Sequence, residues 1–364
     1  MDETATKTTC SPPGRRLVGA GRPGIVFSAA RLLRYGESFV YWMAMAPLAA
    51  RLPASLAYRI ACWRGDLDFR YRTGKRSEIV RNLRRVLGDE FDLEEAEGVA
   101  REFFRMISCE IIDIMLLRGR ARSLAKLVEV RGREHLDAAL AWGNGAILCS
   151  SHFGSYNSGF SVLHAGGFPL TSIGRSPSNH TPDMPSAERR LREFVYFRRL
   201  RRHRQRPMIE PMPGSIQAAA QAVVALRANE VVTISSDAPP LDADQARAVE
   251  VTFLGRQARL LPGVVTLARV TGAPVLMVSM HRLADYRHQV LEISPPVPME
   301  GETVKAFTRC VVAMDAAIRA NLAHWVYWAN TDALIRLGLL PAAPSTGRSA
   351  VIPQAAVDDP LGRR

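Results

Sequence analysis

Residues 145–160 read GAILCSSHFGSYNSGF, and this stretch decides the fold class. A short apolar run at its start, AILC, is bounded by turn residues and predicts a buried strand over 146–150. A glycine-serine pair then offers a turn and an N-cap for a helix over 155–164. His152 therefore lies where a strand gives way to a helix, and open α/β sheets hold their ligands at such strand ends.

The alternation of strand and helix patterns continues through the following two hundred residues. Predicted strands occupy 146–150, 169–173, 230–236, 249–254, 274–280 and 288–293. Predicted helices occupy 155–164, 187–204, 214–228, 262–272 and 303–322. This order predicts an α/β fold with a mixed, mostly parallel sheet flanked by helices, preceded by an N-terminal helical membrane-associated segment.

Residues 75–118 have helical periodicity, which Gly88-Asp89 interrupts and which an N-cap at Asp92 restarts. The apolar stripe of the second helix predicts core contacts rather than a cofactor site; it comprises Val99, Phe103, Met106, Ile107, Ile111, Ile114 and Met115. The predicted organisation has four parts. They are a disordered N-terminus (1–24), a helical membrane-associated preface (25–140), an α/β core (141–340) and a loose tail (341–364).

The uncharged stretch Ser38 to Ala50, SFVYWMAMAPLAA, is the candidate membrane contact. Its 13 residues fall short of the ~20 that a spanning helix needs. Aromatic residues within the stretch, with Arg51 and Arg59 after it, favour a helix that lies in one leaflet. A core helix of a soluble domain is the alternative. A cleaved signal peptide is not expected, because the apolar part begins late and no clean cleavage site follows.

The chain is strongly basic, with 48 basic and 35 acidic residues and a formal net charge of +13. Such a charge favours polyanions, which include nucleic acid, an anionic bilayer surface and an acidic carrier protein. The run Phe197 to Arg206, FRRLRRHRQR, predicts a dock for lipid phosphates or for an acidic acyl-carrier protein, with a solvated helix face as the alternative. No nucleic-acid module accompanies it, so no nucleic-acid partner is expected.

The five cysteines are widely scattered and form no C-x-x-C pair. This pattern predicts neither a structural zinc site nor a disulfide framework, and it favours a reducing compartment. A Gly-x-Ser-x-Gly motif is also missing from the sequence. Ser150 and Ser151 are therefore not expected to form a covalent acyl-enzyme.

His152 is the candidate general base, because imidazole is the usual base at neutral pH and a strand-end loop exposes it to a pocket. A satisfied structural histidine is the alternative when the residue is considered alone. The hexapeptide from His152 to Asn157, HFGSYN, resembles the His-Phe-Gly-Asn-Trp-Glu motif of the late acyltransferases of bacterial lipid A biosynthesis. These lysophospholipid-acyltransferase-like enzymes move a fatty acyl chain from a thioester to a lipid hydroxyl.

Further blocks resemble the family in the same order, and the resemblance covers roughly residues 35–335. They are Arg76 to Leu83, Ile173 to Asn179, Ser235-Ser236-Asp237, Val251 to Gly255 with Leu261-Pro262-Gly263 and Ala268, and Gly272 to Val275 followed by His281-Arg282. Each block alone is weak evidence, whereas their order along the chain is strong evidence.

The resemblance implies a membrane-associated O-acyltransferase at the cytoplasmic face of the inner membrane. Its donor would be a thioester on acyl-carrier protein or coenzyme A, its acceptor a hydroxyl of a glycolipid such as a lipid A precursor, and no cofactor or metal is expected. His152 would deprotonate the acceptor, and Arg175 would bind an anionic group of the acceptor or carrier. Asp237 would orient His152 or Arg175, or cap a turn.

The resemblance implies substrate-binding roles for Phe253, Gly255 and Arg282, although the first two also fit a role in packing the core. Asn157 replaces the acid that the family places there to orient the histidine. Three explanations stay open: a slower enzyme, an acid supplied from elsewhere such as Asp237, or a lost activity. The alternatives for function are an acyltransferase for a phospholipid, a mannosylated lipid or a specialised metabolite, and a non-catalytic lipid-binding member.

Overall fold

The computed structural model of the protein describes Gly36, residues 39–88, 91–117, 124–174, Phe194, 208–211 and 216–342. Several predictions from the sequence lie outside these residues and stay predictions. They are the disordered N-terminus 1–24, the helix 187–204 apart from Phe194, the basic run Phe197 to Arg206, the site residue Arg175 and all but the first two residues of the tail.

A six-stranded mixed sheet forms the centre of the described chain, in the order β1-β8-β7-β2-β4-β3. The strands are β1 (Val128–Arg131), β2 (Ala146–Ser150), β3 (Leu170–Ile173), β4 (Val231–Ser235), β5 (Val249–Phe253), β6 (Arg256–Leu260), β7 (Val275–Arg282) and β8 (Gln289–Val297). All neighbouring strands of this sheet are parallel except β7 and β8, which are antiparallel. Strands β5 and β6 form a separate antiparallel hairpin. The predicted mostly parallel sheet is confirmed.

Helices cover both faces of the sheet. They are α1 (Ala46–Ala49), α2 (Ala54–Tyr71), α3 (Thr73–Leu87), α4 (Leu93–Leu116), α5 (Arg133–Ala141), α6 (Tyr156–Ala165), α7 (Gln217–Arg227), α8 (Gly263–Thr271), α9 (Thr303–Ala320) and α10 (Thr331–Arg336). Every residue of β2 is buried. Since successive strand side chains point to opposite faces, Ile147 joins the apolar cluster of α8 and α9, whereas Leu148 joins that of α2 and α6. A strand buried on both faces explains the uninterrupted apolar run in the sequence.

The helical region before the sheet is organised by α4. Asp92 caps this helix through a reciprocal capping box with Glu95, as the sequence position of Asp92 predicts. The apolar stripe is core, with Met106 and Ile114 buried. Helix α2 packs tightly against α4 at Gly65, where an added Cβ would lie 2.5 Å from the Cα of Arg105. The small residue is therefore what permits this close helix contact.

The described part of the apolar stretch, residues 39–50, contains a π-helical turn, Tyr41–Met45, followed directly by α1. Ala46 and Ala49 face the core, whereas Phe39 and Leu48 are each 56% exposed. Leu52, just before α2, and Leu56 and Trp63 on this helix extend the exposed apolar surface. In the part of the chain that the structure describes, no helix has the length and apolar character needed to cross a bilayer. Membrane contact by this surface stays a prediction.

Five of these helices and strands have no prediction of their own in the sequence patterns: α2, α5, α10, β1 and β6. Strand β1 lies in the predicted helical preface, yet it pairs with β8 at the edge of the main sheet. Its sequence VEVR and the RQARL of β6 alternate charged and apolar residues over only four or five positions. Such short edge strands carry too few apolar residues to stand out in a sequence.

Candidate active site

The predicted site loop begins at the carboxyl end of β2, in the middle of the main sheet. Gly154 forms its sharp turn with φ +59°, and an added Cβ would lie 1.9 Å from the carbonyl oxygen of Met280. Only glycine fits such a backbone without displacing β7. The Gly154 amide donates to the carbonyl of His324 at 2.8 Å, which ties the loop to the segment after α9.

The register of β2 and β4 brings His152 and Asp237 together. Ser150 is paired with Ser235 in these parallel strands, and each site residue lies two positions beyond its serine. The ring Nδ1 of His152 lies 2.7 Å from Oδ1 of Asp237. Oδ2 of the same carboxylate accepts from the His152 amide at 2.8 Å and from the Trp325 indole Nε1–H at 2.9 Å. Asp237 therefore orients both the ring and the backbone of His152.

The side chain of Asp237 is fully buried, whereas that of His152 is 19% exposed. Because Asp237 holds Nδ1, the opposite ring nitrogen, Nε2, is the atom available to a substrate, and it has no hydrogen-bond partner within the described residues. The rings of Tyr156 and Tyr327 flank the imidazole at centroid distances of 5.5 and 5.2 Å. The Tyr327 hydroxyl also lies 3.3 Å from Nδ1. A carboxylate-held imidazole with one accessible nitrogen is suited to accept a proton.

Asn157 occupies the first turn of α6, five residues after His152. The backbone carbonyl of Asn157 accepts a hydrogen bond from the Ser161 hydroxyl at 2.9 Å. Among the described residues, the partners of the His152 ring are Asp237 and Tyr327. Of the three explanations for an asparagine at position 157, this geometry supports an acid supplied from another strand.

Arg282 lies at the end of β7 in a buried polar cluster behind the loop. Its guanidinium bonds Asp113 of α4 at 2.5 Å and the Ser155 hydroxyl at 2.7 Å. Tyr58 and Gln289 also donate to the Asp113 carboxylate. Burial opposes the charge of Arg282, but the combined attraction of Asp113, Cys109 and Tyr58 outweighs it and raises the pKa of the guanidinium. Arg282 thus joins β7 and α4 to the residue that precedes α6, and its contact with substrate stays a prediction.

His324 supports the site loop from the other side. Its Nε2 accepts from the Arg282 amide at 3.1 Å, and its carbonyl accepts from Gly154. Burial, followed by the charges of Arg282 and His281, lowers the pKa of His324 from 6.5 to about 3. A neutral imidazole is what this accepted hydrogen bond requires.

Phe253 and Gly255 lie at the β5–β6 hairpin. Phe253 is fully buried, and its ring packs edge-on against Trp325 at 5.7 Å. Phe253 thus supports the indole that donates to Asp237. Leu254 and Gly255 have φ of +52° and +77° and form the two-residue turn. Substrate contact by Phe253 or Gly255 stays a prediction, as does the role of Arg175, which lies outside the described residues.

The segment after α9 supplies groups that sequence patterns miss. Residues 321–330 read NLAHWVYWAN and fold into two short 3₁₀ turns, Leu322–His324 and Val326–Ala329. Trp325 forms a β-bridge with Phe153, which carries its indole to Asp237. The available signal is composition, because a histidine, two tryptophans and a tyrosine within five residues form an unusual group of polar-tipped aromatics.

Comparison with known proteins identifies the family of the chain. The sequence profile of the family described as "Bacterial lipid A biosynthesis acyltransferase" matches residues 27–330. The chain is also 29% identical, over 278 residues, to the phosphatidylinositol mannoside acyltransferase of Mycobacterium tuberculosis (strain CDC 1551 / Oshkosh). That match covers 71% of this chain and 78% of the relative. The chain is therefore an acyltransferase that belongs to the bacterial lipid A biosynthesis acyltransferase family.

Proposed function

We propose that the protein transfers a fatty acyl chain from a thioester donor to a sugar hydroxyl of a glycolipid, with His152 as general base. The observation that carries this proposal is the 2.7 Å contact between His152 Nδ1 and the buried carboxylate of Asp237. Asp237 supplies the acid that position 157 lacks. The pair forms the base half of a catalytic centre in which the substrate hydroxyl is the nucleophile.

The reaction needs one proton to move twice. His152 Nε2 takes the proton of the acceptor hydroxyl while the hydroxyl oxygen attacks the thioester carbonyl carbon. The tetrahedral intermediate then collapses, the carbon–sulfur bond breaks, and the imidazolium returns the proton to the departing sulfur. Asp237 stabilises the imidazolium between these two steps because its charge is held 2.7 Å away and is shielded from water.

The developing oxyanion requires hydrogen-bond donors. The positive end of α6 begins four residues after His152, and Ser155 at this end is held by Arg282. We assign oxyanion stabilisation to backbone N–H groups at the start of α6, and the binding of an anionic group of acceptor or carrier to Arg175.

The acceptor in this proposal carries both a lipid and a sugar. The name of the mycobacterial relative supports a mannosylated phospholipid, and the family description supports a lipid A precursor. Both present sugar hydroxyls on an amphiphile. The exposed apolar surface around Phe39, Leu48 and Trp63, together with the net charge of +13, supports docking of the chain on an anionic membrane. We place it at the cytoplasmic face of the inner membrane.

The test measures acyl transfer to lipid A precursors and to mannosylated phosphatidylinositol in mixed vesicles, with acyl-coenzyme A and acyl-carrier protein as alternative donors. His152→Ala should lower the rate by about 10⁴ or more, since the base is lost. The matched control is His288→Ala, because His288 forms a similar pair with Asp285 at 2.6 Å but on the surface.

Transfer that survives in His152→Ala refutes the assignment of the base. A wild-type protein that binds vesicles but transfers no acyl chain, and that gains transfer in Asn157→Glu, indicates a non-catalytic member. Equal rates for wild type and His288→Ala show that the loss is specific to the buried pair.

A further inference from the structure

A basic cleft lies along α3, outside the site around His152. Its volume is about 570 Å³, and five arginine side chains line it: Arg76, Arg81, Arg84, Arg85 and Arg256. Glu97 is the one acidic residue among the described residues of its lining. Four of the arginines recur on one face of α3, and the fifth comes from the β5–β6 hairpin. A concentration of positive charge in a concave site favours a compact polyanion.

The charge of this cleft is not neutralised within the described residues. Arg81, Arg84 and Arg85 are exposed, and their guanidinium groups have no carboxylate or hydrogen-bond partner there. Some other exposed arginines of the described chain are paired, such as Arg131 with Glu129 and Arg133 with Asp137, whereas isolated ones such as Arg227 are not. Three neighbouring guanidinium groups without acids repel one another, which stabilises neither α3 nor the fold.

Two of the arginines fix the shape of the cleft. Arg256 Nε donates to the carbonyl of Val86 at 2.7 Å, and its terminal nitrogen donates to that of Arg85, so the hairpin closes the end of α3. The guanidinium of Arg76 lies 5.1 Å above the ring of Phe69. Both contacts hold guanidinium groups at defined positions without consuming their charge.

The opposite face of α3 contacts the segment that flanks His152. Asn82 is fully buried and donates to the carbonyl of Trp328 at 3.0 Å, and Lys75 donates to that of Ala329 at 3.0 Å. Tyr327, the residue before Trp328, lies beside the His152 ring. The cleft and the base are thus separated by one helix, about 10–12 Å across, and by one short turn.

We propose that this cleft binds the phosphate groups of coenzyme A, the nucleotide end of the acyl donor. The inference rests on the proposed function, because it assigns the carrier of the thioester used at His152. One guanidinium group can donate two parallel hydrogen bonds to two oxygens of a phosphate. The volume of the cleft is also within the range of small-molecule sites. A bilayer surface or an acidic carrier protein would instead favour a flat basic face. In acyl-coenzyme A the flexible pantetheine arm lies between the phosphates and the thioester. The phosphates can therefore bind in the cleft while the thioester lies on the other side of α3, at His152.

The first test measures the binding of coenzyme A itself by titration calorimetry with the full chain. Arg84→Glu should weaken binding at least about tenfold, equivalent to ~1.4 kcal/mol, and wild-type affinity should fall with salt. Arg227→Glu is the matched control, because Arg84 and Arg227 are both exposed and both lie in the last turn of a helix. Arg84→Gln serves as a milder second variant, and thermal unfolding confirms that each variant is folded.

The second test compares transfer from acyl-coenzyme A with transfer from acyl-pantetheine, which lacks the nucleotide phosphates. Arg84→Glu should raise KM for acyl-coenzyme A about tenfold with kcat nearly unchanged, the same factor as in binding. It should leave the reaction of acyl-pantetheine as in wild type. Equal effects on both donors overturn the proposal.

The other possible outcomes of these tests also decide whether the cleft binds coenzyme A. A wild-type chain that does not bind coenzyme A, or an Arg84→Glu variant that binds it like Arg227→Glu, overturns the assignment. A loss confined to acyl-carrier protein, or to anionic vesicles, replaces the nucleotide with that partner. If wild type transfers no acyl chain but Arg84→Glu abolishes coenzyme A binding, the proposed function fails while the cleft assignment stands.

Discussion

The substitution Asp237→Asn is the sharpest test of the site, because it removes a charge and leaves the shape nearly unchanged. One oxygen of Asp237 accepts from two fixed donors, the His152 amide and the Trp325 indole. In the asparagine variant the carbonyl oxygen must take that position, since the alternative orientation would lose both hydrogen bonds. The amide NH₂ would then replace the oxygen that faces His152 Nδ1.

This orientation dictates the tautomer of the imidazole. An NH₂ group donates, so Nδ1 must accept and the ring proton must move to Nε2. A protonated Nε2 cannot take the proton of an acceptor hydroxyl. The change also removes the negative charge that stabilises the imidazolium. In a serine protease the equivalent substitution costs about 10⁴ in kcat, or ~5.5 kcal/mol of transition-state stabilisation, and we expect a similar loss here.

The assay is kcat for acyl transfer at pH 7 to 9, with Asp285→Asn as control for a surface His–Asp pair. Asp237→Asn should unfold near the wild-type temperature because both donors keep an acceptor. Asp237→Ala should instead lose about 1–3 kcal/mol of stability for each unpaired donor. A folded Asp237→Asn variant within tenfold of wild-type kcat would refute the role of Asp237.

Three further predictions concern the frame of the site. Gly154→Ala should destabilise the fold by at least about 3 kcal/mol in denaturant titrations, because its Cβ would collide with β7. Gly167→Ala is the control and should cost only about 1 kcal/mol, because Gly167 also has a positive φ, +99°, but open space around its Cβ position. Asp113→Ala leaves Arg282 buried and unpaired, so unfolding free energy should fall by about 3–5 kcal/mol. The pKa of His324 is about 3 in the folded chain and 6.5 when unperturbed. The unfolded chain therefore binds this proton more readily, so stability should be complete above pH 6.5 and decline as the pH falls toward 3. The dependence of the unfolding free energy on pH in this range should be weaker in His324→Gln.

Much of the sheet could be predicted from the sequence because its strands are short, apolar and bounded by turn residues. Strand β2 is observed over the predicted residues, and α9 begins at the predicted Thr303. The N-cap Asp92 likewise begins α4 as expected, since its capping box is local in sequence. Features that depend on local chemistry were thus accessible from the sequence alone.

The site could be predicted only in part, because its key contact joins residues 85 positions apart. Three roles fitted Asp237 as long as the register of β2 and β4 was unknown. Trp325 was missed because the short turns around it have no helical or strand periodicity, and because its hydrogen bond to Asp237 depends on the bridge to Phe153. Arg282 matched a sequence block, but only the fold shows that Asp113 holds it beneath the loop.

The position of Asp237 also changes the meaning of Asn157. An imidazole presents a single Nδ1, and here that atom is directed at the carboxylate of Asp237. The Nδ1–H group is therefore already engaged, and a second acid on α6 could not accept its hydrogen bond. Two carboxylates beside one imidazole would also repel each other. An orienting acid can come either from the helix after the histidine or from the neighbouring parallel strand. In this chain the loop after β4 places Asp237 against Nδ1 of His152, so the asparagine at position 157 is compatible with a functional base at His152.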